Sequence, residues 1–265
     1  MSAGVDGGQT TEVHRSPVVM ENPDGAGPFV IVCDHASNRI PEDCQSFGFA
    51  AEALQTHIAW DPGALPVARR LSKRLDAPLI WPDVSRLVID CNRAPDASSL
   101  IVVESEGRKV EANRGVSAAE RARRLDRIHR PYHEAIEACL KRRAARLTTT
   151  LIAIHSFTPV YFGKARPWQV GIVFGDDRRM ADLLVHELEA DPTLTVGINQ
   201  PYSPADQVYY TVERHAGPRR LLAAMIEIRN DEISDAAGRR RWADQLANIL
   251  YGAMQDLLAG SPAVV

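Results

Sequence analysis

No stretch of these 265 residues stays apolar for the roughly 20 positions that a membrane-spanning helix needs, so an embedded protein is excluded. Cysteine is scarce: Cys33, Cys44, Cys91 and Cys139 stand far apart, and none forms a C-x-x-C pair. That removes disulfide scaffolds, thiolate metal clusters and thioredoxin-like redox motifs. An excess of either charge is also missing. Thirty-one basic against 34 acidic side chains leave a net −3 and no electrostatic footprint for nucleic acid. The Arg-rich stretch from Arg121 to Arg146 is interrupted by Asp126, Glu134 and Glu137, which marks a solvated helix face. The start, MSAGVDGGQTTEVHRS, lacks a basic segment followed by an apolar one, so no secretion signal is read there and the cytoplasm is the expected location. No G-x-G-x-x-G, P-loop or G-x-S-x-G is present.

What remains has the composition of a folded globular protein, 45% hydrophobic and 25% charged. Residues 1–16 are expected to be a mobile tail and residues 17–265 one domain, since no Pro/Gly/Ser linker splits the middle. Short apolar runs alternate with amphipathic segments. Phe29–Cys33, Pro78–Trp81, Arg86–Asp90, Thr149–Ile154, Gln169–Phe174, Thr193–Ile198 and Leu221–Ile228 read as strands. Ala64–Leu75 has helical spacing, and helices are expected over Arg178–Glu189 and Ala236–Leu258. Ser117 and Glu120 have the form of a capping box, opening a long helix to about Arg146 that bends near Pro131. Ser98–Arg114 is read as an irregular, mobile excursion. The alternation predicts a three-layer α/β fold, with a mixed, mainly parallel central sheet flanked by helices.

In open α/β sheets, ligands bind beyond the carboxyl ends of the strands. The first run is followed by Asp34-His35-Ala36-Ser37-Asn38-Arg39, the Arg86 run leads to Asp90-Cys91-Asn92-Arg93, and the Thr149 run to His155-Ser156. The Leu221 run itself carries Glu227 within Ala-Ala-Met-Ile-Glu-Ile, followed by Arg229. A carboxylate in such surroundings must be paired, metal-bound or shifted in pKa. Two histidines, several carboxylates and two arginines thus meet at four strand ends, the residue types of a metal or acid–base site. Plainer roles compete. Asp90 can cap a turn, Arg93 can pair with Asp96, and Asp61-Pro62-Gly63 can start a helix. His129 and His133, four apart, suit a metal or helix packing, and Glu213–Gly217 suits a lid or a turn.

Taken together, Asp34-His35-Ala36-Ser37-Asn38-Arg39-Ile40-Pro41, Trp60-Asp61-Pro62-Gly63-Ala64, Ser85–Arg93, Ile154-His155-Ser156-Phe157 and Ile226–Asp231 resemble the N-formylglutamate amidohydrolase family. The resemblance runs from about Pro17 to Leu258. It implies kinship with zinc carboxypeptidases and aspartoacylases, whose mixed central sheet is flanked by helices. It also implies one zinc ion held by His35 and His155. The wider group's third ligand is a carboxylate three residues after the first histidine, where this chain has Asn38. Asp61 is the leading substitute, with His57, Asp34, Asp90 and His133 behind it. Arg93, helped by Asn92, is expected to hold a substrate carboxylate, for which a guanidinium fork is well shaped. Arg86, Arg214, His215 and Arg229 are candidates for a second carboxylate or an oxyanion, and Glu227 for the general base.

The activity so implied is metal-dependent hydrolysis of an N-formyl or other N-acyl acidic amino acid, a small-molecule substrate, with no nucleic-acid or membrane partner. Hydrolysis of another N-acyl amino acid or short peptide competes with it, as does non-catalytic binding of a dicarboxylate on the same fold. Pro159–Trp168 and Pro201–Gly217 are lid candidates from their Gly, Pro and aromatic content.

Overall fold

Seven apolar runs pair into one sheet in the computed structural model, which describes residues 16–145 and 149–258. They are β1 (Val18–Glu21), β2 (Phe29–Val32), β3 (Leu79–Pro82), β4 (Thr150–Phe157), β5 (Val170–Val173), β6 (Val196–Ile198) and β7 (Leu222–Arg229). Their order is β1-β3-β2-β4-β7-β5-β6. The four central strands β3, β2, β4 and β7 are parallel, while β1 runs against β3 and β5 against β7. The carboxyl ends of β2, β4 and β7 therefore share one rim. The expected tail falls outside the described residues except for Ser16, as does the helix end at Arg146.

Among the described residues the longer helices are α1 (Ala64–Leu75), α2 (Ala118–Arg124), α3 (Arg130–Ala144), α4 (Arg179–Glu189), α5 (Tyr210–Ala216) and α6 (Ala236–Leu258). Alternation along each strand sorts side chains to two cores. Phe29, Ile31, Ile152, Ile154 and Ile226 meet α1, α4 and α6 on one face. Val30, Val32, Leu151, Ala153 and Met225 meet α3 and α5 on the other. The three-layer, mixed α/β arrangement expected from the sequence is thus present. No helix of the described residues is long and apolar enough to cross a membrane.

Four local expectations need correction. Arg86–Asp90 is not a strand, because its amides are spent on turns and loops. Arg86 N–H donates to the Ala59 carbonyl (3.2 Å) and Asp90 N–H to the Leu100 carbonyl (2.8 Å). Its apolar side chains are buried because the loop threads between cores, Leu87 on one side and Val88 and Ile89 on the other. Strand β4 does not stop at Ile154. It pairs with β7 along all eight residues, which puts His155 and Ser156 inside the strand. The capping box is half made: Ser117 Oγ accepts from Glu120 N–H, but the Glu120 carboxylate turns to Arg123 and Arg124. Ser98–Arg114 holds a small hairpin, Glu104–Ser105 with Arg108–Lys109, and is tied down by Asn113, whose amide donates to the Leu87 and Val102 carbonyls. The long helix does lose regularity beside Pro131, through a π-turn over Leu125–His129 that joins α2 to α3.

Candidate active site

Strand register is the first thing that assembles the site. His155 on β4 sits directly opposite Glu227 on β7, both on the α3/α5 face and near the shared rim. On the other side of β7, Glu227 is opposite Gly171 of β5. A Cβ on Gly171 would fall 2.0 Å from the Gln200 carbonyl oxygen, so glycine is what lets the loop carrying Tyr202 cross above the strand. The chain leaving β2 adds Asp34 and His35, and the turn before α1 adds Asp61. That turn is held by Asp61 N–H donating to the His35 carbonyl at 2.8 Å. Asp61 does not cap α1, because Gly63, with φ +84°, takes that place and frees its carboxylate.

The two histidines are braced by acids on their outer sides. His35 Nε2 meets Asp90 Oδ1 at 2.7 Å, and His155 Nε2 meets Asp34 Oδ2 at 2.9 Å. Their Nδ1 atoms both turn to Asp61 Oδ2, at 3.4 Å from His35 and 2.9 Å from His155. Among the described residues His35, Asp61 and His155 form a group able to hold a metal, with donor atoms all within 4.8 Å of one another. The bracing acids are held in turn. Asp34 accepts from the Tyr132 and Thr211 hydroxyls, and Asp90 from the Arg86 guanidinium and the Asn92 N–H.

Charge is unevenly placed. Burial opposes ionisation of Asp61, yet His35 and His155 outweigh it and hold the carboxyl below the usual range. Asp34 is lowered in the same way by His155 and His35, and Asp90 well lowered by Arg86 and His35. Burial would lower His155, but Asp34 and Asp61 raise it well above an ordinary imidazole. The three carboxylates therefore stand ionised around the histidines. Glu227 departs from the other acids: burial pushes it up to about 7, and its buried Oε2 has no hydrogen-bond partner among the described residues.

These groups open into a cavity of about 190 Å³, which also reaches Arg86, Asn92, Arg93 and His57. Asn92 is fully engaged with the scaffold, its amide donating to the Val208 carbonyl and its Oδ1 accepting from Thr211 N–H. Arg93 donates to Ser99 Oγ at 3.2 Å and to the Asn92 carbonyl. Both lid candidates contribute a tyrosine, Tyr161 and Tyr202. Arg166 fastens the two, its guanidinium lying 4.3 Å and 4.8 Å from their ring centres.

Three residues expected near the substrate do not line the cavity. Arg214 bonds Tyr210 on the surface of α5. Arg229 is the last residue of β7, and its guanidinium is paired with Asp231 and Glu232. His215 belongs to a separate buried cluster, with His133 Nδ1 2.9 Å from His215 Nε2. His133 Nε2 reaches the Cys91 carbonyl and His129 Nε2 the Arg93 carbonyl, each at 2.9 Å. A carbonyl only accepts, so His133 carries its proton on Nε2 and its bare Nδ1 accepts from His215. These histidines brace the Asp90–Arg93 segment from behind. Asn38 points away and bonds the Leu54 carbonyl. Tyr132 and Thr211, which hold Asp34, carried no sequence signal, because one reads as helix core and the other as loop.

An acid-braced pair of histidines, a shared aspartate and a buried glutamic acid at a sheet rim make a site for polar bond chemistry, and comparison gives its class. The chain is a hydrolase that acts on an amide C–N bond. It belongs to the N-formylglutamate amidohydrolase family, whose sequence pattern matches residues 27–234. Among solved structures, a gene product of Agrobacterium tumefaciens is 39% identical with a TM-score of 0.90, over 93% of this chain and 98% of that one. An N-formylglutamate amidohydrolase from Ralstonia eutropha JMP134 shares the fold at 22% identity and a TM-score of 0.66, over 91% and 98% of the two chains. No curated protein matches the sequence.

Proposed function

We propose that this chain is a metal-dependent amidohydrolase that removes the acyl group from an N-formyl, or other short N-acyl, acidic amino acid, with N-formylglutamate as the leading substrate. The observation that carries this reading is the convergence of His35 Nδ1, His155 Nδ1 and the Asp61 carboxylate beside the unpartnered oxygen of Glu227. Two imidazoles and one carboxylate suit a zinc ion with a position left open. Metal-ligating histidines usually have the outer ring nitrogen held by a carboxylate, as Asp90 and Asp34 do here. Bound there, zinc would polarise the scissile carbonyl and lower the pKa of a water.

The chain's own residues account for the rest. Glu227 Oε2 takes the proton of the attacking water, and a carboxyl pushed up to about 7 then releases it to the departing nitrogen. Arg93 holds the substrate's α-carboxylate, and Asn92 positions Arg93 by tying its segment to α5. Arg86 Nη1 lies 3.7 Å from Asp61, close enough to the metal set to steady developing negative charge on the carbonyl oxygen. Arg214, His215 and Arg229 fall outside this machinery. A cavity of about 190 Å³ suits an N-acyl amino acid better than a peptide.

The test is a panel of N-formyl-L-glutamate, N-acetyl-L-glutamate and a formylated dipeptide, assayed before and after chelation. N-formyl-L-glutamate is expected to be hydrolysed fastest, with activity lost on chelation and restored by zinc. Full activity in metal-free protein, or no hydrolysis of any member, would contradict the reading.

A further inference from the structure

Five basic side chains line the cavity, and their commitments differ. His35 and His155 belong to the metal set proposed above. Arg86 Nη2 donates to Asp90 Oδ2 at 2.7 Å and Nη1 lies 3.7 Å from Asp61, so its charge is answered within the site. Arg93 faces Asp90 only at 3.8 Å and otherwise bonds neutral oxygens, which leaves it able to hold one carboxylate. His57 is the fifth. Its buried Nε2 has no hydrogen-bond partner among the described residues, although Glu106 Oε2 lies 2.8 Å away, out of line for a hydrogen bond.

Glu106 comes from the small hairpin at the cavity mouth, whose Ser105 also lines the cavity. It stands at the hairpin tip in the left-handed region, φ +49°, beside Gly107 at φ +72°. A side chain at such a tip is carried by two residues per strand and leaves its position without disturbing the core. The imidazole it approaches sits on the chain between the short helix Ala51–Leu54 and Asp61.

The geometry points to His57 as the seat of the substrate's distal carboxylate, with Glu106 as an internal carboxylate that sits against it until substrate arrives. This rests on the N-acyl acidic amino acid reading and names the group that recognises the acidic side chain. Such a substrate brings two anions, and after Arg93 has taken one, His57 is the remaining basic lining group, and the acid beside it, Glu106, is not itself part of the lining. The distal carboxylate of a glutamyl group is chemically the side chain that Glu106 already offers to His57. Exchange of one for the other conserves charge and breaks no covalent bond. An N-acyl amino acid with an apolar side chain makes no such exchange and leaves Glu106 against His57, so His57 selects the dicarboxylate and Glu106 tempers that selection.

The experiment compares metal-loaded wild type, His57→Gln and Glu106→Gln. It measures kcat/KM for N-formyl-L-glutamate and N-formyl-L-norvaline, and calorimetric titration with L-glutamate. His57→Gln is expected to lower the glutamate-to-norvaline ratio about tenfold or more, mainly through KM, the loss expected for one charge-assisted hydrogen bond. Glu106→Gln is expected to raise that ratio several-fold and tighten L-glutamate binding, a gain that misfolding cannot produce. A ratio and an L-glutamate Kd equal to wild type in both variants would overturn the proposal, as would weaker dicarboxylate binding in Glu106→Gln. Should wild type hydrolyse neither substrate, the amidohydrolase reading fails by itself. The L-glutamate titration still decides His57, since opposite shifts in the two variants support the seat and equal affinities refute it.

Discussion

Glu227 lies in a strand between Ile226 and Ile228, opposite His155, with one buried carboxylate oxygen that finds no hydrogen-bond partner among the described residues. Burial without full satisfaction is costly, and a purely structural role would have paired that oxygen. The Glu227→Gln variant is expected to keep the proposed metal, because Glu227 is not among the three converging residues proposed to hold it, while kcat falls by about 10²–10⁴, the range for losing a general acid–base group. Metal analysis and steady-state kinetics on one preparation check this, and near-normal kcat would remove Glu227 from the mechanism. His35, His155 and Glu227 were legible in the sequence because each follows or interrupts an apolar run. Asp61 was legible only as a substitute for the acid missing at Asn38. The contacts of Asp34 and Asp90 with the outer ring nitrogens were hidden, since nothing local tells which nitrogen of a histidine an acid will meet.

At the scale of elements, the site depends on segments that approach closely from different layers. Gly171 lets the Gln200–Tyr202 loop pass over β5, and a Cβ there would meet the Gln200 carbonyl at 2.0 Å. Gly171→Ala is expected to destabilise the protein by about 1–3 kcal/mol, as overpacking does, and to raise KM as Tyr202 shifts. Urea unfolding and substrate titration check both effects. Behind the site, α3 and α5 meet through the His129, His133 and His215 cluster. His215 is lowered from its ordinary 6.5 to about 4, by burial first and then by Arg214 and Arg219. Its neutral form is the folded one, so the stability it supports is full above pH 6.5 and drains as pH falls from 6.5 through 4. In that window the folding free energy of wild type should fall by about 1 kcal/mol per pH unit for each such histidine. His215→Gln should show a shallower decline, read as urea midpoint against pH. An identical slope in the variant would remove His215 from the account.

For the whole molecule, periodicity carried the sequence reading far. Ala64–Leu75 and Ala236–Leu258 form helices over the expected residues, and six of the expected strands are present, because a stripe or a two-faced run has one way to bury itself. The Arg86–Asp90 segment shows where that logic ends. Its apolar residues are buried by a loop threaded between cores, and burial alone does not distinguish a strand from a loop. The meeting of the β2, β4 and β7 ends was foreseeable from the rim rule, while the expected fourth strand end, before Asp90, is a loop that joins them. The identity of the cavity lining was not foreseeable, since His57 and Tyr202 arrive from loops whose paths depend on the assembled sheet, while Arg214 bonds Tyr210 on its own helix and Arg229 pairs with Asp231 and Glu232.

The central claim is that the rim holds one divalent ion between His35, Asp61 and His155. Metal analysis of the purified protein beside a His35→Ala, His155→Ala double variant tests it most directly. The account predicts about one zinc per wild-type chain and none in the double variant, with circular dichroism showing both folded. Wild type without metal even after reconstitution, or a double variant that retains it, would contradict the account.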